Sequence, residues 1–430
     1  MKSVTLAKHF AVFVLTLLLS SSTLLMAQAG SLDPTFGTGG IVTTPNTNTF
    51  CGQNINCTLA IQTDGKIVAG GGATQSNGGS ELALARYNTN GSLDSTFGNR
   101  GIAVFSSTSG SGPAFGLALQ IDGKIVVAAP VGFNLDVFRF NTNGTLDSSF
   151  GSGGVFSSTA AGHLFSPVTG GLAVLSTGKI LVAVGNVMIR LLSTGQIDSS
   201  FGTAGVAQLL TSAQTLAELS SGKTLVASAF TFSTGGAARY NVNGILDTAF
   251  GVSGQAPSFG GVAAILPLSS GKFLVAGTLA SGTPAAGGTT PQGFVLTRFN
   301  GNGTIDGTFG IHGAVVTAFP GNGFAAAVAL GVQSSGDIVA AGVAEAKNPA
   351  FGAEPSDFAL ARYTPNGVLD TTFGTNGLVT TAFGTNGGNG AAASALAIQS
   401  DGNIVVLGYD NSLTFGSPSN GFTLARYLGQ

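Results

Sequence analysis

The sequence predicts an all-β protein: a seven-bladed β-propeller of four-stranded blades, its ring closed by the N-terminal strand completing the last blade. Three observations lead there. The composition suits short strands and tight turns, three short motifs each recur seven times in constant order, and the two chain ends carry complementary halves of one repeat.

Of the 430 residues, 68 are Gly and only 8% are charged, Trp is absent, and Phe supplies most of the aromatic content. Gly, Ser, Thr and Asn at this density would suit disorder. Disorder needs low hydrophobicity, however, and 43% of this chain is hydrophobic, in short periodic runs. Short strands joined by Gly-rich turns fit both facts. A net charge of −2, with no basic stripe and no charge run, argues against nucleic acid or an anionic membrane as partner.

Self-similarity is the strongest signal. The motif L-D-x-x-F-G, with Ile for Leu twice, places its Asp at Asp33, Asp94, Asp147, Asp198, Asp247, Asp306 and Asp370. An apolar run into a Ser/Thr/Asp-Gly turn and a second apolar run places its glycines at Gly65, Gly123, Gly178, Gly222, Gly271, Gly336 and Gly402. A motif of the L-A-R-Y type places Arg86, Arg139, Arg190, Arg239, Arg298, Arg362 and Arg426.

Each repeat reads as four strands. In the first, Thr58 to Gln62 form strand a, Lys66 to Gly70 strand b, Leu82 to Asn88 strand c, and Ser92 to Phe105 strand d, with a kink at the Phe-Gly. The b strands are apolar on both faces, as stacked sheets require. Arg precedes Asp by eight residues in all six complete cases, and a Gly lies three before each Asp. A three-residue hairpin loop needs a left-handed last residue, which Gly91 supplies in the loop Thr89-Asn90-Gly91. That loop sets Arg86 opposite Asp94, so the spacing predicts one structural Arg–Asp ion pair per repeat.

Arg426 has no Asp after it and Asp33 has no Arg before it. Pairing them closes the ring, with Ser31 to Thr44 as the outer strand of the last blade, and removes the exposed edges of an open stack. L-D-x-T-F-G, I-Q-x-D-G-K-I-V and L-A-R-Y-N-x-N-G resemble the delta-60 repeat of bacterial surface and secreted proteins, over essentially the whole chain after the leader. The resemblance implies a propeller-type repeat and no particular activity.

The leader itself reads as a signal peptide, residues 1–29. Lys2 and Lys8 precede an apolar run from Phe10 to Leu19, and Ala27-Gln28-Ala29 forms a small-x-small cleavage site before Gly30. The expected product is a single seven-repeat domain over 30–430, a monomer, secreted or held at the cell surface or in the periplasm, with no membrane span after cleavage. Cys51 and Cys57, close together in an exported chain, read first as a small-loop disulfide, with free thiols or a metal site as alternatives.

Once the repeated residues are set aside, little chemistry remains. Arg100 and Lys347 are the leftover cations, and His163 and His312 stand in different repeats with no carboxylate nearby in sequence. No catalytic residues, metal site or cofactor emerge, and the Asp-Gly turns lack the ligand spacing of a calcium loop. Acids and amides on the loops would suit calcium as well as a carbohydrate. From the residue after the turn Gly to the Arg (66 to 86 in the first repeat), the seven repeats span 20, 15, 11, 16, 26, 25 and 23 residues. Repeats 5, 6, 7 and 1 are the long ones, contiguous only when the ring closes, and variable loops on a rigid scaffold are where binding concentrates. This rim holds Glu81, Glu345, Glu354, Asp357, Tyr409 and Asp410, with Phe351, Phe415, Asn77, Asn411 and Asn420. Acids, amides and aromatics suit an extracellular glycan or protein ligand. The expectation is a non-catalytic binding or scaffold module. The alternative is a carbohydrate-active lyase or hydrolase using acids in the central funnel.

Overall fold

The computed structural model describes residues 28–44, 49–51, 57–74, 80–105, 112–131, 134–160, 169–229, 235–279, 293–320, 324–345, 356–383, 390–410 and 421–430. They form seven antiparallel blades around a ring. In blade 1 the strands run Thr58–Ile61, Ile67–Thr74, Ser80–Tyr87 and Ile102–Phe105, from the inside outward. The inner strands of blades 2 to 7 are Gly116–Leu119, Gly170–Val174, Ala213–Glu218, Ala264–Pro267, Ala325–Val332 and Ala391–Ile398. Each touches the next, and the seventh touches the first. No helix among the described residues is long and apolar enough to cross a membrane.

Blade 7 takes its outer strand from the other end of the chain. Ile41–Thr43 pairs antiparallel with Thr423–Tyr427, with Ile41 opposite Ala425 and Thr43 opposite Thr423. Upstream, Leu32 makes a single bridge to Tyr427. The join continues through Thr44, whose hydroxyl bonds the Phe422 carbonyl and the buried Tyr87 hydroxyl of blade 1.

The core lies between blades. In blade 1, Leu82 and Leu84 face blade 2 with Ile125 and Val127, whereas Ala83, Ala85 and Tyr87 face blade 7 with Leu407 and Leu424. Burying an aliphatic side chain of this size is worth about 1.5–3 kcal/mol. Both faces of the middle strands are therefore apolar because both are interfaces.

The structure corrects the outer strand. Only Ile102–Phe105 is extended, and Leu93 makes just one bridge to Tyr87. Between them the chain turns back, because Asp94 Oδ1 accepts the backbone N–H and the hydroxyl of Thr96, and Phe97 N–H bonds the Asp94 carbonyl. This side-chain-closed turn competes with the strand and wins. A second difference is in blade 1, where Thr49–Phe50 also pairs with the second strand, opposite Ala73 and Gly72. The inner edge there has two segments, and a Cys51–Cys57 disulfide joins the end of one to the start of the other.

Candidate functional site

The two ends of the blades differ in kind. At one end lie the turns between the first and second strands and between the third and fourth, where the repeated charges meet. Arg86 Nε donates to Asp94 Oδ2 at 2.8 Å, and Lys66 Nζ reaches the same oxygen at 2.9 Å. The guanidinium also donates from Nη2 to the Thr96 hydroxyl and lies 4.7 Å over the Phe97 ring. Its Nη1 crosses to the next blade and donates to the Thr142 carbonyl.

The arrangement repeats around the ring. Arg139–Asp147, Arg190–Asp198, Arg239–Asp247, Arg298–Asp306, Arg362–Asp370 and Arg426–Asp33 are paired at 2.6 to 2.9 Å. The crossing bonds go to the carbonyls of Ser193, Val242, Gly301, Pro365, Gly429 and Thr89. Burial alone would raise the Asp94 carboxyl, but the Thr96 hydroxyl, Lys66 and Arg86 overcome it and hold the group well below the usual carboxylate range. The same holds for Asp147, Asp198 and Asp306. Every repeated Arg and Asp at this end has an internal partner of opposite sign, so the motif residues serve architecture.

His312 and Arg100 also belong to this end. Both occupy the same left-handed turn position, φ 53° in each case, and both are exposed. His163 and Lys347 lie outside the described residues.

The opposite end carries the variable connections. Here the described rim residues fall on three adjacent blades. Glu345 and Asp410 end the second strands of blades 6 and 7, Ile338–Glu345 and Ile404–Asp410. Asp357 stands opposite Ala344 on the third strand of blade 6, Ser356–Tyr363. Glu81 stands opposite Ala73 in blade 1. Glu354, Phe351, Phe415, Asn77, Asn411 and Asn420 lie outside the described residues.

Electrostatics tie several of these together. Burial raises the Tyr409 hydroxyl pKa, and the Glu345 carboxylate of the neighbouring blade raises it further. Burial likewise raises the Asp357 carboxyl. Deeper in the seam, burial drives up the Tyr427 hydroxyl, which donates to Thr381 at 2.8 Å and also senses Asp357. Tyr409 itself packs in the cluster between blades 7 and 1, so these acids and Tyr409 are spread along the loop-end strand tips of blades 6 and 7.

These acids do not reach the central funnel. They sit at the ends of second and third strands, one or two strands out from the axis. Among the described inner strands the only charged residue is Glu218, and its carboxylate accepts the backbone N–H and the hydroxyl of Ser176 in blade 3. No three His, Cys, Asp or Glu among the described residues stand close enough to hold a metal ion.

One buried acid escaped the sequence reading. Asp136, 7% exposed, faces the seam between blades 1 and 2 and accepts a hydrogen bond from the Ser157 hydroxyl opposite it. Burial raises its carboxyl. Aligning the repeats on their Arg would have exposed it. The matching positions are Ala83, Val187, Gly236, Val295, Ala359 and Thr423, so Asp136 is the one acid in that column.

Comparison with known proteins bears on the fold. Residues 62–97, 120–150, 219–250 and 333–373 match the family described as "Domain of unknown function (DUF5122) beta-propeller". No curated protein sequence matches the chain. Among solved structures, a fungal alcohol oxidase of the AA5 family in complex with copper is 14% identical, with 91% of this chain and 76% of that one covered and a TM-score of 0.51. An inactive virginiamycin B lyase from Staphylococcus aureus is 11% identical over 90% of this chain and 98% of its own, with a TM-score of 0.47. Regucalcin from Agrobacterium tumefaciens is 13% identical over 74% and 91%, with a TM-score of 0.39. At these identities the likeness concerns fold alone. The matched segments fall in repeats 1, 2, 4 and 6, and with the seven-bladed ring they mark this chain as a β-propeller repeat protein.

Proposed function

We propose that this chain, its repeats of the delta-60 type, is an exported binding or scaffold module that takes an extracellular glycan or protein on its loop end, over blades 5, 6, 7 and 1. The observation that carries the reading is the asymmetry between the two ends. At the turn end each repeated charge is spent on a partner within the ring. At the loop end Glu345, Asp357, Tyr409 and Asp410 stand at strand tips of blades 6 and 7, the Glu345 carboxylate acting on the Tyr409 hydroxyl, beside the longest connections. An aromatic ring beside carboxylates offers a sugar a stacking face and hydroxyl acceptors, and a protein partner a desolvated anchor.

The test is a thermal-shift screen of the exported chain against a polysaccharide panel, with calcium and a chelator as separate arms. A ligand at about a hundred times its dissociation constant should add about 2.7 kcal/mol of stability. The expected result is a shift with at least one glycan that Tyr409→Ala and Asp410→Ala each abolish while the unliganded melting temperature is kept. A shift that survives both variants would move the site elsewhere. The enzyme reading has no observation in its favour among the described inner strands.

A further inference from the structure

Blade 7 is assembled from both chain ends, and the place where they meet is the hairpin loop that every other blade builds from one continuous stretch. In blade 1 that loop is Thr89-Asn90-Gly91, held by Asn88 N–H to the Ser92 carbonyl at 2.8 Å and Gly91 N–H to the Asn88 carbonyl at 2.9 Å. In blade 7 the same two bonds are Leu428 N–H to the Ser31 carbonyl at 2.9 Å and Gly30 N–H to the Leu428 carbonyl at 2.8 Å. Gly30 has φ 87°, matching φ 86° at Gly91. The first loop position belongs to Gly429, whose carbonyl receives Arg362 as the Thr89 carbonyl receives Arg426. The second belongs to Ala29.

Ala29 does what the middle loop residue does elsewhere. The Phe-Gly glycine of each preceding blade donates its N–H to that residue's carbonyl. Gly37 bonds Asn90, Gly98 bonds Asn143, Gly151 bonds Thr194, Gly202 bonds Asn243, Gly251 bonds Asn302 and Gly310 bonds Asn366. At the seventh joint Gly374 bonds the Ala29 carbonyl at 2.8 Å. Ala29 is 9% exposed and packs with Phe373 and Tyr427, and the Gln28 amide donates to the Gly374 carbonyl at 2.6 Å.

We infer that the leader is removed after Ala27, so that the mature chain begins at Gln28 and keeps Ala29 as the middle residue of the blade 7 loop. The inference rests on the export reading above. Hydrolysis of the Ala29–Gly30 bond would discard the acceptor for Gly374 N–H, while the new ammonium at Gly30 would keep only the Leu428 carbonyl as its partner. A cut two residues earlier leaves all seven joints alike. A cut there has Ala27 directly before it and Leu25 two positions further back, in place of the second small residue that Ala27-Gln28-Ala29 offers.

The test is the intact mass and N-terminal sequence of the chain recovered from the export compartment. A start at Gln28 is the expected result. A start at Gly30 overturns the inference and leaves the export reading standing, whereas an uncut chain starting at Met1 overturns both. As a second measurement, chains begun at position 28 and at position 30 behind a removable tag are melted side by side. The shorter one should melt lower by about 1 °C, from the loss of one buried hydrogen bond in a domain of this size. Equal melting would remove the physical reason for the earlier cut.

Discussion

At each joint of the ring a single guanidinium bonds its own blade's carboxylate, lies over a phenylalanine and ties down a carbonyl of the next blade, and at six of the seven, all but the Ala249 turn of blade 4, it also caps the hydroxyl of the turn. Lysine, with one compact charge, cannot reproduce that set. Removing the carboxylate would strand the cation in a site where Arg86 is 6% exposed and Asp94 is 4% exposed. Breaking a buried pair this way costs about 3–5 kcal/mol, so Asp94→Ala should lower stability by that order in chemical denaturation. The pH response follows from the same carboxylates. Their folded pKa values are held below the unfolded value of about 3.9. Their contribution is therefore complete above about pH 4 and is lost as pH falls through that value toward the folded pKa. Melting temperature should hold steady from neutral pH down to about pH 5 and then fall steeply. A flat profile down to about pH 2 would show that the pairs contribute little. This layer was legible in the sequence, since an eight-residue spacing repeated six times leaves few geometries for Arg and Asp.

Blades are not equal at the turn between their first two strands. Lys66, Lys124, Lys179, Lys223 and Lys272 each reach the repeat Asp of their own blade, but blades 6 and 7 have Asp337 and Asn403 at that position. In blade 6 the Asp337 side chain accepts from the Ser335 hydroxyl instead, and Asp370 is left with Arg362 as its cation. Asp337→Lys should restore the second cation and add about 0.2–1 kcal/mol, the range of a partly exposed pair. Unchanged or lower stability in urea would show that the turn geometry there differs from the other five. The elements themselves were only partly legible. L-D-x-x-F-G alternates like a strand, and nothing in the spacing says that Asp94 will fold back onto Thr96 and end the extended run. The loop-end site was less legible still. Glu345 and Tyr409 stand 64 positions apart in sequence and meet only because neighbouring blades place the ends of their second strands side by side.

For the whole molecule, the offset between motif sets at the chain ends was the decisive clue, and the structure shows its physical meaning. Asp33 and Arg426, 393 residues apart, make at 2.9 Å the bond that eight-residue neighbours make at 2.6 to 2.8 Å elsewhere. The strap from Gln28 to Thr44 supplies blade 7 with its outer strand, its Asp and its phenylalanine, Phe36, under Arg426. It also passes one bond forward, from Gly37 N–H to the Asn90 carbonyl of blade 1. A ring with one joint missing exposes two sheet faces that are otherwise buried, so stability should depend on this short segment far more than its length suggests.

The measurement that tests closure most directly is the thermal unfolding of the chain lacking residues 28–44, compared with a chain that begins at Gln28. The account predicts a sharp drop in melting temperature and a broadened transition, because blades 7 and 1 lose their joint. Identical melting of the two chains would contradict a ring closed by the N-terminal strand.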